Sequence, residues 1–190
     1  MQLVVGFLLL LIAVALILGV WAIGLYNGLV RLQNQLKGAW AQIEVQLRRR
    51  YDLLPNMVET VKGYAQHEQD TLEKVIQARG QALQARGAGA CAQAHQQVHN
   101  AVGQLMVVVE QYPELKANQN FLSLQEELVS TENRIGFARQ HYNERVMVYN
   151  TMLQSMPANV IGTMFAFKEE EFFEVEDAHQ RTVPQIKFAA

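Results

Sequence analysis

His95 and His99 lie four positions apart, so on a helix they share one face, the spacing at which two imidazoles can hold a metal ion. A zinc site needs three or four ligands, and the glutamate of an HExxH motif is missing because position 96 is Gln. The pair therefore reads as part of a polar, exposed face. His67 and Glu68 set an imidazole beside a carboxylate, but neighbours in a helix point in different directions. His141 has no carboxylate three or four positions before it. Cys91 has His95 four positions later, which could activate a thiol if the segment is helical. The alanines and glycines around it predict a loop instead, and Cys91 reads as a loop cysteine whose replacement leaves function intact. No catalytic, cofactor-binding or metal-binding residue is assigned, and no enzyme chemistry is expected.

Residues suited to recognition are easier to find. Arg48, Arg49 and Arg50 are consecutive, so they cannot all face outward from one helix, and at least one must meet a neighbouring helix. Glu126, Glu127 and Glu132 are the expected acidic partners, since a guanidinium fork can grip a carboxylate with two hydrogen bonds. Tyr-Asn recurs at Tyr26, Tyr142 and Tyr149, and the last two repeats are seven positions apart on one helical face. Buried tyrosines keep a polar partner for the hydroxyl, and asparagines in a helical seam can set register or partner number. Trp40, Arg48, Arg49, Arg50, Tyr142, Asn143, Tyr149 and Asn150 are accordingly the candidate interaction or register residues.

Those residues hang from an apolar stretch. No Asp, Glu, Lys or Arg occurs from Met1 through Val30, and about 20 apolar residues suffice for a helix to cross a bilayer. Ala13-Val14-Ala15 resembles a signal-peptide cleavage site, yet the apolar run continues past it and no basic residue precedes it, so retention as an anchor is expected. Arg31, Lys37 and the three arginines follow the run, which places the rest of the chain in the cytoplasm by the positive-inside rule. A formal net charge of −2 argues against general nucleic-acid binding. A single cysteine forbids an internal disulfide and leaves the redox compartment open.

The apolar stripe Leu25, Leu29, Leu32, Leu36 and Ile43, with Ala39 or Trp40 between the last two, continues in steps of three and four, so the membrane helix is expected to run straight into the first bundle helix. The stripe carries on through Leu47, Leu54, Val58, Val61, Ala65, Leu72 and Val75, and Pro55 leaves two choices open, a kinked long helix or a tight hairpin, of which the kink is favoured. A register shift between Ile43 and Leu54 would relax a coiled-coil supercoil there. A turn is expected near 86–90, then a helix from about Ala92 to Tyr112. A long helix follows from Asn118 or Asn120 to Ser155, roughly 57 Å by helical rise. Its unequal partners suggest packing on another helix or another copy. The predicted architecture is all-α: a transmembrane helix (1–26), a long antiparallel helical bundle (27–157), and a short helix with an extended acidic and aromatic tail (158–190). Glu169, Glu170, Glu171, Glu174, Glu176 and Asp177 supply the acids, and Val183-Pro184-Gln185-Ile186-Lys187-Phe188 reads as extended.

Several stretches are specific enough to carry a resemblance. Tyr26-Asn27-Gly28-Leu29-Val30 is one, and Ala39-Trp40-Ala41-Gln42-Ile43-Glu44 through Arg50-Tyr51-Asp52-Leu53-Leu54-Pro55-Asn56 is another. Tyr112-Pro113-Glu114-Leu115-Lys116-Ala117-Asn118, Thr131-Glu132-Asn133-Arg134-Ile135 and Ala138-Arg139-Gln140-His141-Tyr142-Asn143 add to them. Together they resemble the LemA family over most of the chain from Tyr26 to Phe167. The resemblance implies a bacterial single-pass membrane protein with a mostly helical soluble bundle and no agreed enzymatic activity. It also implies relatives tied to membrane organisation, magnetosome membranes included.

The expected function is a non-enzymatic scaffold in the bacterial inner membrane that self-associates as a homo-oligomer. Its expected partners are membrane lipid, copies of itself and other envelope proteins, with no nucleic acid and no cofactor. A monomeric, membrane-tethered signalling adaptor is the alternative, and a tethered enzyme is the weakest reading.

Overall fold

The computed structural model of the protein describes residues 1–174. Glu176, Asp177 and the expected extended stretch at 183–188 lie outside the described residues. The described chain is all-helical: α1 (Gln2–Lys62), α2 (Gln69–Gln84), α3 (Ala88–Val109), α4 (Pro113–Lys116), α5 (Gln119–Gln154) and α6 (Ala158–Met164). It forms two compact units. The first comprises Met1–Val45 and Gly136–Glu171, and the second comprises Gln46–Ile135 with residues 172–174.

Helix α1 is long and apolar enough to cross a membrane, and none of its most apolar window is buried by protein. It continues unbroken past Tyr26, as its stripe predicts, and passes through Pro55 without ending. In the first unit, Leu29, Leu36, Ala39 and Ile43 of α1 are buried, as are Tyr142, Val146, Tyr149 and Leu153 of α5. Both sets step by three, four or seven, so each helix buries one face.

The second unit is built on the rest of α1, whose Leu47, Tyr51, Leu54, Met57 and Val61 are buried, and on α2 and α3, which pack on each other. One expectation needs correction here. The stripe through Val61, Ala65, Leu72 and Val75 suggested one helix, but α1 stops at Lys62 and α2 begins at Gln69. The amides of Tyr64 and Ala65 both turn back to the carbonyl of Val61, at 2.9 Å each. Ala65 is fully buried within the turn, so the apolar pattern runs on across the break.

The next turn ends at Gly87, with φ of 82°, a left-handed conformation that suits glycine. Helix α3 then starts at Ala88, earlier than the expected Ala92. Pro113 opens α4 at a position where its missing N–H costs nothing. Asn118 caps α5, its Oδ1 accepting from the amides of Asn120 (2.9 Å) and Phe121 (3.1 Å).

Candidate functional site

The second unit contains a buried polar cluster contributed by three helices. Arg50 of α1 and His95 of α3 are 2% and 4% exposed, and Glu132 of α5 lies beside them, partly open to solvent. Arg50 Nη1 forms an ion pair with Glu132 Oε2 and approaches His95 Nδ1 at 3.1 Å. A guanidinium only donates, so His95 Nδ1 accepts and its proton sits on Nε2, which faces Glu132 Oε1 at 3.4 Å. The more exposed His99 stands 3.8 Å from the same carboxylate oxygen.

Burial lowers the pKa of His95 below its ordinary value and outweighs the opposing pull of Glu132. Arg50 is likewise lowered by burial, against the charge of Glu132. Burial pushes the Glu132 carboxyl up, but the His95 hydrogen bond and the Arg50 and histidine charges prevail, and its net shift is down. Neutral His95 therefore sits between a cation and an anion.

Could this cluster hold a metal? Among the described residues no group of three or more His, Cys, Asp or Glu side chains is placed to hold one.

A second polar contact follows from Pro55. Proline has no N–H, so the carbonyl of Tyr51, four residues earlier, lacks its helical partner. Arg79 of α2 supplies one: its Nε donates to that carbonyl at 2.7 Å. Burial raises the pKa of the Tyr51 phenol to about 12.

The first unit joins its segments without an ion pair among its described residues. Residues 168–171 have no regular secondary structure, so their backbone groups need partners from elsewhere. The Tyr-Asn repeats provide them. Tyr149 donates to the carbonyl of Lys168 (3.0 Å) and Tyr142 to that of Glu171 (2.9 Å). Asn150 serves both sides of Glu170, donating to its carbonyl at 2.9 Å and accepting from its amide at 3.0 Å. Burial, reinforced by Glu170 and Glu171, raises the Tyr142 hydroxyl to about 12. Trp40 stacks on the same tyrosine with centroids 5.3 Å apart and donates to Glu44 at 2.8 Å. Near the end of the apolar run, Tyr26 packs against Phe165 (4.7 Å) and Phe167 (5.8 Å).

With this geometry established, comparison with known proteins identifies the chain's relatives. The model of the LemA family matches residues 39–188. The chain belongs to the LemA family. Magnetosome protein MamQ 2 of Paramagnetospirillum magneticum is 25% identical over 189 residues, covering 85% of this LemA-family chain and 70% of the relative. Magnetosome protein MamQ of Magnetospirillum gryphiswaldense is 24% identical with the same coverage. Protein LemA of Metamycoplasma hominis is 27% identical over 141 residues, covering 74% of this chain and 64% of the relative.

Within the LemA-family chain the singled-out residues have separate fates. Arg50 is buried against Glu132, Arg49 pairs with Glu127 at 2.7 Å, and Arg48 is exposed. Tyr142, Tyr149 and Asn150 hold the chain's own 168–171 segment, and Asn143 beside them is half-buried. Cys91 lies in the first turn of α3, where a loop was expected.

His95 is the clearest correction, since it is buried where an exposed face was expected. The signal for it was present. It falls in step with Ala92, Val98 and Val102 on the buried stripe of α3. Arg79 carried no comparable signal beyond the carbonyl that Pro55 leaves open.

Proposed function

We propose that this LemA-family chain is a non-enzymatic, single-pass scaffold of the bacterial inner membrane that associates with copies of itself and organises the envelope or its proteins. The apolar first part of α1 is the anchor, and the bundle occupies the cytoplasmic side. Within the first unit the bundle is read as antiparallel: Gly28 of α1 faces Met152 of α5, whereas Trp40, further along α1, faces Tyr142, earlier on α5.

One observation carries the self-association. Phe137 is 74% exposed, and Val148, eleven residues or three turns later on the same face of α5, is exposed with its neighbour Met147. Bulky apolar groups aligned on one open face suit contact with another chain. The groups that could do chemistry are meanwhile engaged with one another, as in the Arg50–His95–Glu132 cluster. Relatives named as magnetosome proteins support a structural role.

Extraction in a gentle membrane mimic followed by mass photometry tests this. Assemblies larger than one chain, reduced by Phe137→Glu, are expected, and a purely monomeric mass distribution overturns the scaffold. Labelling of a cysteine at position 120 by an impermeant reagent in intact spheroplasts overturns the cytoplasmic placement.

A monomeric adaptor is the second reading, favoured by an open groove of about 740 Å³ in the second unit. Pro55, Val58, Leu72 and Ile76 line its apolar part, with Glu59, Lys62 and Glu73 at its edges.

A further inference from the structure

A second charge-free stretch lies beside the first. No Asp, Glu, Lys, Arg or His occurs between Arg145 and Lys168, a stretch that contains the end of α5, all of α6 and the turns flanking it. Its contacts bring it to the end of the apolar run: Phe165 and Phe167 pack on Tyr26, and Met152 touches Gly28. Within the stretch, Met156, Val160, Met164 and Phe165 are 76%, 51%, 72% and 56% exposed. Val160 and Met164 are four apart on one face of α6, Phe165 adjoins the last, and Met156 lies in the turn that leads into the helix.

We infer that α6 and its flanking turns dock on the bilayer surface, giving the chain a second membrane contact besides the span. This rests on reading the charge-free start of α1 as that span. Three observations name lipid as the occupant. The exposed patch is continuous with Tyr26, the last aromatic residue of the apolar run, and interfacial aromatics of this kind sit at headgroup level. The first charges met on leaving the two charge-free stretches are Arg31, Arg145 and Lys168, all basic, which suits anionic headgroups. Arg31 lies about 7.5 Å along the helix from Tyr26, within reach of phosphate.

The acids that follow Lys168 are led away from this level. Lys168 bonds to Tyr149 and Glu171 to Tyr142, so the segment climbs α5 by seven residues, about 10 Å. A backbone lock holds the patch in place. At the end of α6 the amides of Phe167 and Ala166 bond to the carbonyls of Gly162 and Thr163, with Ala166 in the left-handed region at φ 55°. That lock aims Phe165 and Phe167 at Tyr26.

The test uses the full chain carrying Cys91→Ser, with one cysteine at a time replacing Leu11, Gln140, Val160 or Met164. Each variant is labelled with an environment-sensitive fluorophore in phosphatidylcholine–phosphatidylglycerol vesicles. Lipids spin-labelled at the headgroup are expected to remove more than half of the emission at 160 and 164 and little at 140. Lipids spin-labelled deep in the acyl chain are expected to do the same at Leu11. Protection of 160 and 164 from aqueous iodide supports the docking. Full iodide access at 160 and 164 with deep quenching at 11 overturns the docking and leaves the span intact. Loss of deep quenching at 11 overturns the span and the docking with it. Quenching at 160 and 164 by a spin label on a second copy, but not by lipid, assigns the patch to self-association and overturns the lipid assignment.

Discussion

The two units hold themselves together with different chemistry. Every ion pair found among the described residues lies in the second unit, where Arg50 meets Glu132, Arg49 meets Glu127 and Arg79 approaches Asp52. The first unit joins its segments through tyrosine hydroxyls, an asparagine amide, aromatic contacts and one exposed bond from the Gln154 amide to the Glu169 carboxylate, with neutral donors throughout. The difference has a physical reason if the first unit stands next to lipid. A charge near hydrocarbon loses hydration that a hydroxyl or an amide loses much less of, so neutral donors are the cheaper fasteners there. Charges in the second unit face no such penalty until they are buried, and only Arg50 is buried deeply.

The contrast can be broken most sharply at Arg50. Arg50→Ala empties a buried site and leaves Glu132 without its cation but partly open to solvent, so it is expected to lower the opening free energy of the second unit by about 1–3 kcal/mol, less than for a fully buried pair. Replacing Arg50, His95 and Glu132 together by Met, Leu and Leu is expected to be close to neutral, because no buried charge is then left alone. Amide hydrogen exchange read by mass spectrometry checks both.

Arg79→Leu comes next, at about 1–3 kcal/mol, since it leaves the Tyr51 carbonyl unsatisfied. In a Pro55→Ala background the cost should shrink, because the introduced alanine supplies the missing helical N–H. An undiminished cost would show that Arg79 acts through Asp52 or packing instead.

In the first unit, Asn150→Ala removes both bonds to Glu170 and is expected to cost about 1–2 kcal/mol, read as faster exchange at residues 168–171. The smallest effect is a gain. Ala166→Gly relieves the left-handed strain and should stabilise the end of α6 by about 0.4–1 kcal/mol, visible as slower exchange at Phe167.

Much of this was legible in residue order. The apolar run, its continuation past Tyr26 and the bounds of α5 follow from periodicity and capping, whereas at Pro55 a kink and a hairpin were both open until α1 was seen to pass through it. Three consecutive arginines announced that one must turn inward, and Glu127 and Glu132 were among the acids expected to meet them, although nothing in the sequence chose which arginine would be the buried one. His95 was misread because His99, one turn on, is exposed, and the pair was judged together rather than against the stripe of α3. The turn after Lys62 was hidden because Ala65 is buried in it, keeping the apolar pattern intact. The fastening of 168–171 was illegible for another reason. Its bonds run to backbone groups, which every residue carries, so no side-chain pattern marks the segment that receives them.

Acid separates the two units most directly. His95 has a folded pKa below its ordinary 6.5, so below that value unfolded chain takes up a proton that the folded cluster refuses, and stability falls as the pH drops. Glu132 acts in the same direction, its stabilisation being present above the ordinary 4.5 and lost as the pH falls through its lower folded value. The first unit has no ion pair among its described residues to lose. The measurement is hydrogen exchange of the full chain in vesicles, corrected for intrinsic rates and compared at neutral pH and progressively below the ordinary histidine value. Protection is expected to fall in α2, α3 and the first half of α5 while residues 142–154 hold theirs. Equal loss in both units, or loss confined to the first, would contradict a fastening by ion pairs in one unit and by neutral donors in the other.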